Sequence, residues 1–311
     1  MTQPSPKQHL GDQAFRWVTA LSAAMVLLIV LGICVELFRN SALSLSRFGL
    51  DFLTSQQWNP AKEQYGAASS IYGTLVSTAI ALIIAVPLSV VIALFLVEVA
   101  PPRLSKVVGQ GIELLAAIPS IIYGMWGLFV LAPVLSKHVQ PALAKAFGSL
   151  PLFQGPPMGI GMLTAGIIIA LMILPFITAV MRDVFQMVPS VVKESAYGMG
   201  ATTWEVTRQV TIPYGIHGLA GAVFLGLGRA IGETMAVTFV IGNKHHISAS
   251  LFAPGNTISS SLANEFTEAA EPLYRSALVE LGLVLFGLTF LLQIAAQLWL
   301  RRLKKKMAVT L

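Results

Sequence analysis

The chain alternates between long uncharged runs and short polar stretches, and the length of the runs is what first constrains the fold. A helix needs roughly 20 mainly apolar residues to cross the hydrocarbon core of a bilayer. Six runs reach that length, at about 17–38, 71–97, 114–136, 159–181, 214–241 and 279–300. Glu36 closes the apolar part of the first, and the second lies inside an uncharged stretch from 64 to 97. The third falls between Glu113 and Lys137, while Pro151, Pro156 and Pro157 push the start of the fourth to about residue 159. Arg229 and Glu233 interrupt the fifth. Strands of an outer-membrane barrel would be about 9–11 alternating residues. The pattern therefore predicts an all-α polytopic membrane protein with six transmembrane helices.

Composition agrees. Of 311 residues, 55% are hydrophobic and only 11% charged, against about 25% charged in a soluble domain. A water-facing surface cannot be built from so few charges. Disorder, a collagen repeat and a disulfide scaffold are excluded with it, since the chain is apolar, lacks a G-X-Y period and holds one cysteine. That cysteine, Cys34, reads as an inert buried thiol in a first helix that is retained: its apolar run exceeds a signal-peptide core, and no cleavage pattern comes after it.

The basic residues sort by side. Twelve lysines and arginines, five of them in the tail 301–311, would lie on one face and seven on the other, with Arg229 inside a span. Excess positive charge marks the cytoplasmic face, so both termini are expected there: a tail at 1–16, a permease domain at 17–300 and a basic tail at 301–311. The net charge of +6 is then a record of topology, with anionic lipid as a partner for the tail and nucleic acid a remote one.

Three external loops are long, at about 39–70, 137–158 and 242–277. In the first, Phe48, Leu50, Phe52, Leu53 and Trp58 suit either an interfacial helix or a loop anchored by aromatics. His245 and His246, in the third, read as solvated rather than metal-binding. The cytoplasmic segment 182–213 differs from the rest. Pro189-Ser190 sets a helix start, Gly198 and Gly200 stop that helix, and the stretch to Val210 is again helix-compatible before Pro213. Two short surface helices joined by a small-residue turn are expected.

The spacing of Glu194-Ser195-Ala196, Gly200 and Val210-Thr211-Ile212-Pro213 resembles the EAA loop of ABC importer permeases. In the family such loops dock as coupling helices on a cytoplasmic ATPase subunit. Glu194, Ala196, Gly200 and Pro213 match the family pattern, while Ser195, Val210 and Ile212 depart conservatively. The stretches 113–124, 181–185 and 226–237 are similar to PstC-type permeases of bacterial phosphate-specific importers, over about residues 45–300. The resemblance implies a type I ABC importer permease fold in the inner membrane. It also implies a second, PstA-like permease, two copies of an ATPase subunit that carries ATP and magnesium, and an external phosphate-binding protein. A signalling role in a phosphate-sensing complex comes from the resemblance alone.

Arg229 and Glu233, four residues apart, would share one face of a continuous fifth helix. Taking that helix as 214–241 puts Arg229 near the midplane, where a charge costs at least about 2.5–3.5 kcal/mol. Small residues at 218, 222, 226, 230 and 234, and at 228, 232 and 236, flank that face and favour close helix packing. The pair is expected to line a substrate pathway, Arg229 as a bidentate oxyanion ligand and Glu233 as its holder between substrates. A buried pair that only fixes packing is the competing reading. Pro87, Pro119 and Pro175, within or at the ends of spans, could act as hinges.

No Gly-Lys dipeptide occurs, so there is no Walker A loop, and the chain is expected to bind no cofactor, no metal and to have no enzymatic activity of its own. The sequence reads as the permease subunit of an ATP-driven phosphate importer. Sulfate or molybdate import and a stand-alone secondary anion carrier remain as alternatives. A membrane-embedded enzyme lacks any catalytic cluster, and a carrier has no use for an ATPase dock.

Overall fold

A computed structural model describes residues 6–307. Helix α1 (Pro6–Asn40) is followed by two short helices, α2 (Ala42–Phe48) and α3 (Asp51–Thr54). Next come α4 (Ala68–Leu94), prolonged by a π-turn over Phe95–Val99, and α5 (Pro102–Ala116). A single rod then runs from α6 (Ser120–Trp126) through α7 (Ala132–Val134) to α8 (Gln140–Phe147), with π-turns between the three. After α9 (Met162–Gln186) come α10 (Ser190–Gly198) and α11 (Thr203–Val206), which continues through a π-turn into α12 (Ile212–Ile231). The chain ends with α13 (Met235–Val240), α14 (Ile258–Glu265) and α15 (Pro272–Met307). Among the described residues there is no strand, and six helical segments are long and apolar enough to cross a membrane.

Span α9 is the centre of the bundle: 61% of its apolar window is buried, against none of α1's. Small residues make that centre possible. Gly226 sits so close to α9 that a Cβ there would be 2.5 Å from Ile177, and Gly218 meets Val184 in the same way. Ala81, Ala85, Ala165, Ala170 and Ala222 fill the same core. Lipid tails are as apolar as leucine, so such close backbone approach, rather than water exclusion, holds membrane helices together. Helix α1 lies outside this core and touches the bundle through α2 and α15; Cys34 on it is half-buried.

One end of the bundle carries residues 187–202, the elbow end; the other carries the long loops. At the loop end Phe52, Tyr65, Ile258, Leu278 and Leu281 form a second core. It anchors the aromatics of the first loop, while Leu50 stays largely exposed.

Four expectations are corrected. The third span starts at Ser120 and runs to Phe147, because Pro119 separates it from α5, whose end takes residues 114–116. The sixth helix starts at Pro272, where proline is favoured at the first turn. The second surface helix of 182–213 is not separate: Thr203–Ile231 is one segment, in which Pro213 follows directly on the π-turn Thr207–Thr211. The fifth span is broken at 232–234 rather than continuous to 241. Of the two tails, residues 1–5 and 308–311 lie outside the described residues.

Candidate functional site: a broken helix and an exposed elbow

Helix α12 stops at Ile231, two residues past Arg229, and the chain restarts as α13 at Met235. Gly228 and Gly232 weaken the helix at this point. The side chain of Thr234 then donates back to the Gly232 carbonyl (3.0 Å), and Glu233 Oε1 accepts the Ala236 N–H at 3.1 Å. Glu233 thus caps the first turn of α13. Close packing fixes the broken segment, since a Cβ on Gly124 of α6 would lie 2.9 Å from the Ala236 backbone.

The antiparallel register of α12 on α9 gives the depth of Arg229. Gly218 lies against Val184 and Gly226 against Ile177, so Arg229, one turn further, stands level with Leu174, the middle residue of α9. Its guanidinium lies 5.8 Å from the Phe176 ring centroid, a cation–π distance. Its Nε is buried and meets no acceptor among the described residues. Arg229 thus stands level with the middle of α9 even though its own helix ends two residues later. The expected shared face is not formed. Glu233 lies outside the helix, and the ion pairs among the described residues are Arg39–Glu36, Arg47–Glu63, Arg182–Glu113, Lys193–Glu98 and His245–Glu265. The two small-residue ridges also divide: Gly218, Ala222 and Gly226 pack on α9, while a Cβ on Gly228 would approach Gln293 of α15.

The arrangement leaves a strong donor set with spare capacity at half depth, at a helix break. Such breaks are tolerated in a membrane where they are buried in protein or line a cavity. Beside it a cavity of about 400 Å³ is lined by Ile118, Tyr123, Trp126, Leu174 and Pro175. Those walls offer an anion little, so the arginine edge is the part suited to one.

At the elbow end α10 carries Glu194, Ser195, Ala196 and Gly198. Ala196 is buried and Glu194 is exposed, while the Ser195 hydroxyl is turned back onto the Val191 carbonyl (2.7 Å). The chain reverses at Gly200, whose φ of +89° suits only glycine without strain. Thr202 then opens the next helix with a capping box to Glu205. Around this turn Met199 is 84% and Trp204 64% exposed, far more apolar surface than a free tip needs. Pro213 stands in the first turn of α12.

Pro87 and Pro175 lie inside α4 and α9, and Pro119 precedes α6. The Ser89 hydroxyl donates to the Leu174 carbonyl at 3.1 Å, tying the two proline-containing helices together at mid-depth.

Two clusters escaped the sequence reading. Glu98, at 7% side-chain exposure, takes Lys193 Nζ at 2.7 Å and the Thr211 hydroxyl at 2.9 Å. Its signal in sequence was a lone carboxylate closing a 34-residue uncharged stretch, 64–97. At the loop end Glu265 accepts from Trp58 Nε1 (2.6 Å), the Tyr274 hydroxyl (2.6 Å) and His245 Nε2 (2.8 Å). Burial alone would raise its carboxyl pKa, but the three hydrogen bonds outweigh burial and hold it below the ordinary range. His245 is therefore a structural bridge, stacked on Trp58 at 5.1 Å, rather than a solvated side chain.

Residues 68–307 match the family described as binding-protein-dependent transport system inner membrane component. A Mesorhizobium japonicum protein named phosphate transport system permease protein PstC is 56% identical over 94% of this chain and 91% of its own length. A Pasteurella multocida protein of the same name is 52% identical over 96% and 94%. Among solved structures, a bacterial alginate ABC transporter in complex with a periplasmic protein gives a TM-score of 0.62 at 17% identity, over 96% of this chain and 98% of that one. An inward-facing MetNI methionine ABC transporter gives 0.52 at 19%, over 75% and 92%. At those identities the structures speak to fold alone. Six apolar spans in this architecture and relatives above 50% identity along almost the whole chain agree: the chain belongs to the binding-protein-dependent transport inner membrane components, as a PstC-type permease of an ABC importer.

Proposed function

We propose that the chain is one of two membrane subunits of an ATP-driven importer of inorganic phosphate, working by alternating access. The observation that carries this reading is the exposed, glycine-hinged elbow at one end of a bundle whose relatives are named phosphate transport permeases. The elbow, with Glu194, Ser195, Ala196, Gly198 and Gly200, docks on a cytoplasmic ATPase subunit. That end and both termini then face the cytoplasm, in keeping with the basic residues gathered there. A PstA-like second permease completes the membrane pathway, two ATPase copies hold ATP and magnesium, and an external binding protein delivers phosphate to the loop end.

Arg229 supplies the anion's partner within the span. Its planar donors suit two phosphate oxygens at once, and its buried Nε–H has no acceptor among the described residues. Glu233 acts beside it by holding the helix break open through its bond to Ala236, rather than by contacting the anion. ATP-driven closure of the ATPase pair moves the elbow, and the broken helix exposes Arg229 to one side in turn.

The test is reconstitution of the four-part membrane complex with the binding protein in liposomes, with ATP hydrolysis and labelled anion uptake measured together. Phosphate is expected to stimulate both, and sulfate neither. Stimulation by sulfate or molybdate alone, or uptake without ATP, would overturn the reading.

A further inference from the structure

The elbow must pass its movement to the spans through some physical joint, and α10 by itself offers few contacts: only Ala196 on it is buried. Lys193 is the residue that reaches back. Its ammonium lies 2.7 Å from Glu98 Oε1, and the same oxygen accepts the Thr211 hydroxyl at 2.9 Å. One carboxylate oxygen therefore joins the elbow helix, the end of the second span and the start of the fifth.

The local backbone is arranged around that junction. Glu98 lies in the π-turn Phe95–Val99, closed by Ala100 N–H to the Phe95 carbonyl, and Thr211 in the π-turn Thr207–Thr211, closed by Ile212 N–H to the Thr207 carbonyl. A π-turn holds one extra residue, so it rotates the side chains beyond it by about 100° from the α-helical register. Two spans each carry such a turn where they meet one carboxylate. A surface cleft of about 380 Å³, lined by Val91, Phe95, Val99, Trp204 and Thr207, opens beside Glu98, while Leu96 and Val206 next to the junction are buried. The neighbouring pair Arg182–Glu113 differs in kind, because its carboxylate is 60% exposed against 7% for Glu98.

We propose that Glu98 is a positioning residue for energy coupling: held by Lys193 and Thr211, it makes the elbow, the second span and the fifth span move as one body. The proposal rests on the reading of the elbow as an ATPase dock. A buried carboxylate that loses its ammonium partner is strongly disfavoured, so the joint resists being pulled apart when the elbow is driven.

The experiment compares Glu98→Gln, Glu98→Ala and the charge exchange Glu98→Lys with Lys193→Glu, in the complete transporter reconstituted in liposomes. Phosphate imported per ATP hydrolysed is the readout. Glu98→Gln keeps the size and an acceptor for Thr211 but loses the charge. It is expected to retain the ATPase and its hydrolysis while uptake per ATP falls about tenfold or more, the scale of one hydrogen bond to a charged group. The charge exchange is expected to restore much of that ratio. An unchanged ratio in Glu98→Gln would overturn the proposal. So would a parallel fall of hydrolysis and uptake that the exchange does not rescue, or an exchange variant that fails to assemble, since Glu98 would then be a packing post only. If the wild-type ATPase binds and works equally well with Gly200→Val, the docking reading itself fails, and that result is distinct from any of the Glu98 outcomes.

Discussion

Replacing Glu265 by glutamine tests whether the loop end is held by one carboxylate. His245 Nε2 lies 2.8 Å from Glu265 Oε1, and an ionised carboxylate can only accept, so the ring donates to it from Nε2. Trp58 and Tyr274 donate to Oε2. All three partners are donors, and an amide has only one acceptor oxygen. Turned toward Trp58 and Tyr274, the glutamine keeps two bonds but makes each neutral; its NH₂ then faces the His245 N–H. Hydrogen bonds to a charged group are worth about 1.5–3 kcal/mol and neutral ones about 0.5–1.5, so the change costs about 3 kcal/mol.

With roughly 2–4 °C per kcal/mol in a protein of about this size, the thermal midpoint in detergent micelles should fall by roughly 6–12 °C. Tryptophan fluorescence should report it, since Trp58 is stacked on His245. The pH dependence has a fixed sign. Because folding lowers the carboxyl pKa, the stabilisation is complete above the unfolded value of about 4.3 and drains away as pH falls through the folded one. The glutamine variant should lack that acid-side loss. An unchanged midpoint at neutral pH would refute the reasoning.

Gly73→Ala should prevent the third loop from seating on α4, because its Cβ would fall 1.8 Å from the Asn256 carbonyl oxygen; a loss of about 3 kcal/mol should appear as poor yield of monodisperse protein. Gly200→Val strains a φ of +89° by about 1–2 kcal/mol but meets no atom within 4 Å. The spans should therefore fold normally while ATPase co-purification drops. Thr202→Ala removes a capping box worth about 1 kcal/mol, and hydrogen exchange should speed up around residues 202–206 without change in α9. Arg229→Gln, with assembly confirmed, should abolish phosphate uptake; normal uptake would remove Arg229 from the pathway.

Hydrophobicity along the chain determined the number of spans, because a bilayer demands a fixed apolar length wherever the rest of the fold goes. The sharp reversal at Gly200 was legible for an equally local reason, because a turn at positive φ calls for glycine. Hydrophobicity did not determine that the fifth span breaks at 232–234, since glycine is common in unbroken membrane helices and the break is made stable by tertiary packing of α6, α9 and α14 against α13. The loss of the Arg229–Glu233 face follows from that one event. Tertiary structure alone also decided the joints at Glu98 and Glu265. Glu98 meets residues 95 and 113 positions away, and Glu265 meets one 207 positions away. Charges scattered along a chain say which side of the membrane they prefer; which of them touch depends on how antiparallel helices are registered, and that is set by the small residues between them.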